Sequence, residues 1–161
     1  MPVPRVKHYF EKGHFYHVTT RTVGGVFAFD SDAAKQVIVD AMAFYRQRGD
    51  WRLHAFVIMA NHVHVIVSQA EIDLSEVIGN FKKWISNHLG GQIEEPLLER
   101  RFDDNAIVHA KELWQVVEYV HSNPVRIGLV QRAKDYFWSS ARNYAGLKPV
   151  AMEIDGLEGP L

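Results

Sequence analysis

Two extended apolar runs that stand almost end to end constrain this chain more than any other feature. Trp51–Met59 (WRLHAFVIM) and His62–Ser68 (HVHVIVS) are dense in β-branched, aromatic and aliphatic residues, with only Ala60-Asn61 between them. Runs of that composition read as strands. A two-residue connection makes the pair an antiparallel β-hairpin, and the rest of the chain is read around it.

Upstream, His14–Thr22 (HFYHVTTRT) has strand composition and Gly24-Gly25 breaks it. Ser31 or Asp32 can cap a helix running through AAKQVIVDAMAFYRQR, which Gly49 ends. Val37, Ala41 and Phe44 or Tyr45 recur there at helical spacing. Downstream, Asp73 or Ser75 opens a second helix, LSEVIGNFKKWISNHL, closed by Gly90-Gly91. A strand is expected around Arg101–Val108, and a third helix over His109–Ser122. Pro124 should limit that helix, because the residue before proline is pushed out of the helical region. The segment from Val125 to Gly146 reads as short helical or turn pieces packing back on the domain, and residues 1–13 as irregular.

The order is βαββαβ followed by a helix. It predicts an α+β fold: a ferredoxin-like antiparallel sheet with helices on one face, plus a C-terminal tyrosine-bearing helix. One domain is expected over 1–161, with its core at about 13–145. No apolar run approaches the roughly 18 residues of a membrane helix. The N-terminus has no apolar signal core, so a cytoplasmic protein without membrane partners is expected. The chain has no cysteine, which excludes disulfides, zinc-thiolate sites and a cysteine nucleophile. Any metal must sit on His, Asp, Glu, Asn or Gln.

Net charge is −1, from 18 Lys+Arg against 19 Asp+Glu, which taken alone argues against a nucleic-acid binder. The charge is uneven, however. Residues 149–161 carry Glu153, Asp155 and Glu158 and no Lys or Arg; removing that −3 leaves the other 148 residues at +2. They read as an acidic tail on a mildly basic body.

Chemistry concentrates in two places. In a strand, positions i and i+2 share a face, so His62 and His64 project together, at a spacing that lets two imidazole nitrogens reach one metal ion. Val63 and Val65 point the other way, which leaves the histidines on the open side of the strand. The plainer alternative is two histidines on a half-exposed strand. The second place is Tyr119 with Asn123, at i and i+4 on one helix face, with Gln115 a turn earlier. Leu113, Val117 and Val120 form a separate apolar stripe. The core does not need Tyr119, which could act as a nucleophile beside a metal-bound phosphate. Alternatively it is a half-buried tyrosine with a polar tip, and Asn123 a helix cap.

Together these stretches resemble a known family. MANHVHVIV (59–67) looks like the His-hydrophobic-His strand of the HUH single-strand DNA nucleases. EYVHSNPVRIGLV (118–130) looks like the catalytic-tyrosine helix of the REP-associated tyrosine transposases, relatives of the small insertion-sequence transposases. GHFYHVTTR (13–21) and WSSARNY (138–144) fit the same pattern, so the resemblance runs from about residue 13 to 145. Two departures stand out: Ala60 where the family commonly has proline, and Asn123 where relatives often have glutamine.

The resemblance implies a metal-dependent transposase that cleaves and rejoins single-stranded DNA at hairpins of repetitive extragenic palindromes (REP). Tyr119 would form a covalent 5′-phosphotyrosine. His62, His64 and Asn123 would hold Mg²⁺ or Mn²⁺, and the protein would act as a monomer or homodimer. Candidate phosphate contacts are Arg21, Lys82, Lys83, Arg100, Arg101, Arg126 and Arg132. Trp84, Trp138 and Tyr136 could stack on bases, although core packing suits the tryptophans better. Two other readings remain: a metal-dependent phosphoesterase without a covalent step, and a non-catalytic nucleic-acid-binding module on a ferredoxin-like sheet.

Overall fold

The computed structural model describes residues 14–90 and 96–157. The irregular stretch expected at 1–13, Gly91 and Glu158 lie outside the described residues. The elements are β1 (Phe15–Arg21), α1 (Asp32–Gln47), β2 (Trp51–Ile58), β3 (His62–Gln69), α2 (Leu74–Leu89), β4 (Asp103–Ile107), α3 (Ala110–Arg126) and α4 (Ala141–Tyr144). The four strands form one antiparallel sheet in the order β2-β3-β1-β4, which is the ferredoxin-like arrangement.

Local signals account for most of the boundaries. The Met59 amide donates to the His62 carbonyl at 2.9 Å, closing the hairpin over Ala60-Asn61. Ser31 caps α1 by accepting from the Ala34 amide at 3.1 Å, and Asp73 caps α2 by accepting from the Ser75 amide at 2.8 Å. Gly49 takes φ +83° after α1, a conformation that a Cβ would penalise, so the chain turns directly into β2.

Alternation along the strands divides the core in two. Tyr16, Val18, Val63, Val65 and Val67 meet Ile38 and Met42 of α1 and Val77, Ile78, Phe81 and Ile85 of α2. On the other side Phe15, Ala55, Val57, Ile66 and Ile107 meet Leu113, Val117 and Val120 of α3. The pairing of β2 with β3 shifts register between Leu53 and Ala55. His54, within that irregularity, lies on the α3 side, edge-on to Phe15 and 2.8 Å from the Ser68 hydroxyl. The face expected to be open around the histidines is therefore covered by α3, and His64 is buried.

Two further expectations are corrected. Helix α3 does not stop before Pro124 but continues through it to Arg126. Proline supplies no N–H for the Val120 carbonyl. The Asn123 side-chain amide fills that gap, donating to the carbonyls of Val120 and Tyr119, both at 3.0 Å. The acidic segment is also not a loose appendage up to residue 157. Asp155 accepts from the Leu53 amide at 2.9 Å and pairs with Arg46, while its own amide bonds the Leu53 carbonyl. Glu153 pairs with Lys148, and Met152 is buried in the core. Residues 138–140 bond Phe56 and Ile58 farther along β2. Strand β2 is an edge strand, and these two segments satisfy backbone groups that would otherwise be exposed.

Candidate active site: a histidine–tyrosine cleft

Strand register assembles the site floor. Thr19 lies opposite His64 and Arg21 opposite His62, so the side chains of alternate β1 residues stand beside the histidine pair. The rings of His62 and His64 are 5.0 Å apart and nearly perpendicular. The Nδ1 of His62 is 2.7 Å from the Asn61 side-chain oxygen. The Nδ1 of His64 is 2.9 Å from both His17 Nε2 and Thr19 Oγ1. Each imidazole is thus anchored through Nδ1, and in His64 both contacts fall on that nitrogen, which leaves its Nε2 as the edge available to a ligand.

Helix α3 brings Tyr119 over this floor. Its ring stands 5.8 Å from that of His64 and 6.0 Å from that of His17, edge to face in both cases. Tyr119 is 45% exposed, so its phenol is accessible from outside. The Arg126 guanidinium sits 4.3 Å from the centre of the Tyr119 ring and donates to the Asn123 oxygen at 3.0 Å. Arg21, Thr22, Gly25, Asn61, His62, His64, Glu99, Tyr119 and Asn123 together line a cleft of about 290 Å³.

The electrostatics keep the imidazoles neutral. Burial is the main cause at His64, with His17, His62, Arg21 and Arg126 adding to it, and its pKa is lowered to about 3. Burial and then Arg21 lower His62, while a hydrogen bond with Asn123 opposes them. His17 is lowered by burial against the raising effect of Asp103. Neutral imidazoles keep a lone pair for a ligand; the Arg126 guanidinium supplies positive charge nearby, while that of Arg21 is paired with Asp103.

The structure brings together five of the residues singled out from the sequence: His62, His64, Tyr119, Asn123 and Arg21, with Arg126 stacked at the rim. The others do not line the cleft. The Lys82 ammonium donates to the carbonyls of Glu99 and Arg100 at 2.6 and 2.9 Å. Arg132 pairs with Asp135. Lys83, Arg100 and Arg101 are exposed, and so is Gln115. Trp84 packs against Phe44 and Tyr45, and Trp138 packs against the core and donates to Asp32 at 3.1 Å. The Tyr136 hydroxyl donates to the Ile58 carbonyl at 2.6 Å. Sequence reasoning missed His17, Thr19 and Asn61. The period-2 placement of His17 and Thr19 on β1 was visible, but only strand pairing shows which β1 residues face His64. Among the described residues no three His, Cys, Asp or Glu side chains form a metal-holding group. Asn123, whose side-chain oxygen accepts from Arg126, lines the same cleft.

Fold and cleft together define a class: a ferredoxin-like α+β protein whose sheet histidines meet a tyrosine carried on the last long helix. The family comparison narrows it. The model described as "Transposase IS200 like" matches residues 11–123, and the chain belongs to the IS200-like transposase family. That membership places it among enzymes that cleave and transfer DNA strands. Among solved structures the chain is similar to a REP-associated tyrosine transposase bound to a REP hairpin. The TM-score is 0.75 at 21% identity, covering 99% of this chain and 98% of that one. A Deinococcus radiodurans R1 protein described as a candidate transposase matches at TM-score 0.50 and 14% identity, over 76% of this chain and 97% of that one. No curated protein sequence matches. None of the described helices is long and apolar enough to cross a membrane.

Proposed function

We propose that this protein is a metal-dependent transposase that cleaves and rejoins single-stranded DNA at REP-type hairpins through a covalent 5′-phosphotyrosine on Tyr119. The observation that carries this reading is the accessible Tyr119 ring, 5.8 Å from that of His64 across one cleft. The solved relative bound to a REP hairpin supports the choice of DNA hairpin as substrate.

In this reading a strand lies in the cleft with its scissile phosphate between Tyr119 and the histidines. The Tyr119 oxygen bonds to phosphorus, its proton passes to solvent, and the bond to the 3′ oxygen breaks. A 3′-hydroxyl leaves, and the 5′ phosphate stays on the protein. The phosphotyrosine conserves the bond, so a second 3′-hydroxyl can displace Tyr119 and rejoin the strand. Arg126 holds the tyrosine ring and, with Arg21, offers positive charge to the DNA backbone.

His62 and His64, with the Asn123 oxygen, are the residues that would hold Mn²⁺ or Mg²⁺. Two neutral imidazoles anchored through Nδ1 fit such an ion, and they favour Mn²⁺ over Mg²⁺ in affinity. When bound, the ion supplies Lewis-acid polarisation of the phosphate.

The test is incubation with a hairpin oligonucleotide carrying a single-stranded flank, with Mn²⁺, followed by denaturing gels. A covalent adduct is expected in the wild type and none in Tyr119→Phe. The double variant His62→Ala/His64→Ala should cleave at least ~100-fold more slowly. An adduct that persists in Tyr119→Phe refutes the mechanism. Cleavage without any adduct indicates water attack, and binding indifferent to EDTA without cleavage indicates a binding module.

A further inference from the structure

We propose that His17 is a positioning residue: by accepting a hydrogen bond from His64 Nδ1–H, it fixes the tautomer that leaves His64 Nε2 bare toward the cleft. The inference rests on the metal-site reading above and concerns what makes His64 a ligand at all.

A neutral imidazole carries one proton, on either Nδ1 or Nε2, and only the bare nitrogen can bind a cation. His64 Nδ1 is 2.9 Å from two groups, His17 Nε2 and Thr19 Oγ1. If Nδ1 donates, Nε2 is bare. If Nδ1 accepts from either neighbour, Nε2 holds the proton and faces the cleft as a donor. The threonine hydroxyl both donates and accepts, so it serves either tautomer and selects neither. With its own proton on Nδ1, His17 Nε2 can only accept, and in that tautomer it selects the His64 form protonated on Nδ1. The contact also sets the role of His17. Its Nε2 is turned to the Nδ1 edge of His64, opposite the available edge, so His17 supports the pair and is not a third ligand beside it. The rings lie 5.0 Å apart at 29°, which fixes the plane of His64 as well.

The design follows a general pattern in which the non-ligating nitrogen of a metal-binding histidine is held by a second group, whose loss typically costs 10–100-fold in affinity. For His62 the equivalent partner is the Asn61 oxygen, which sits next to it in sequence. For His64 it comes from another strand, 47 residues away.

The experiment has two readouts. Imidazole ¹⁵N NMR of the metal-free protein should show His64 with Nδ1 protonated and Nε2 bare. Mn²⁺ binding, followed by electron paramagnetic resonance, should weaken about 10–100-fold in His17→Phe. It should recover in His17→Gln, whose amide oxygen can accept in place of Nε2, and change less than threefold in Thr19→Val. A His64 carrying its proton on Nε2 in the wild type overturns the inference. So does His17→Phe binding Mn²⁺ as the wild type does, or Thr19→Val losing it. Failure of the wild type to bind Mn²⁺ overturns the metal reading instead, and the NMR result still decides the role of His17.

Discussion

His121 should make the stability of this protein fall between neutral and mildly acidic pH. It lies buried between α3 and the segment before α4, its Nε2 2.7 Å from the Ser140 hydroxyl and its ring 5.0 Å from that of Tyr144. Burial lowers its pKa from the ordinary 6.5 to about 4. The folded protein therefore keeps His121 neutral over a range in which the unfolded chain binds a proton. The stabilisation is complete above pH 6.5 and is lost as pH falls toward 4. Taking 1.36 kcal/mol for each unit of pKa difference, the loss between pH 7 and pH 5 is about 2 kcal/mol. The perturbation is His121→Gln, which keeps a neutral polar side chain near Ser140 but does not titrate. Urea unfolding at pH 7 and pH 5 gives the difference directly. The wild type should lose about 2 kcal/mol more than the variant over that interval. Equal losses in the two proteins would mean that His121 is not held neutral by burial, and the reasoning would fail.

Asn123→Ala should destabilise the fold by about 1–3 kcal/mol in urea unfolding, because the Val120 carbonyl loses the partner that Pro124 denies it; a change within ~0.3 kcal/mol would contradict that account. Asp155→Ala should cost about 1–2 kcal/mol by the same measurement, since it orphans the Leu53 amide on the edge strand and removes the Arg46 pair; an unchanged midpoint would show that the 150–157 segment does not hold the sheet edge. Arg126→Gln should weaken binding to a single-stranded oligonucleotide and lower the slope of log affinity against log salt by about 0.7; an unaltered slope would place Arg126 away from phosphate. His62→Ala alone should lower strand cleavage in Mn²⁺ at least ~10-fold without loss of the folded circular dichroism spectrum; full activity would remove His62 from the site.

Much of the fold follows from short-range signals. The hairpin, the Ser31 and Asp73 caps and the Gly49 turn each depend on residues within a few positions of one another, so periodicity and turn chemistry reveal them. The division of His62 and His64 from Val63 and Val65 is equally local, because side chains alternate along any strand. Helix α3 shows where that reasoning fails. Proline's bias against helix at the preceding residue is real, but a buried Asn123 amide compensates for the missing donor and packing carries the helix on to Arg126, past the expected stop at Ser122. The acidic segment fails for the opposite reason. Its charge count says nothing about Arg46 or Lys148, and the partner of Asp155 lies over a hundred residues away.

The sequence by itself determined the composition of the site: two histidines on one strand face, a tyrosine and an asparagine on one helix face, and no thiol to compete with them. Only the tertiary structure decided that these faces meet, that α3 closes over the side expected to be open, and that His17 reaches the back of His64. Alternation and helical periodicity are properties of a single element and can be read along the chain. Which face meets which depends on strand register and layer order, and these are set by burial of the whole core, to which no one segment holds the key.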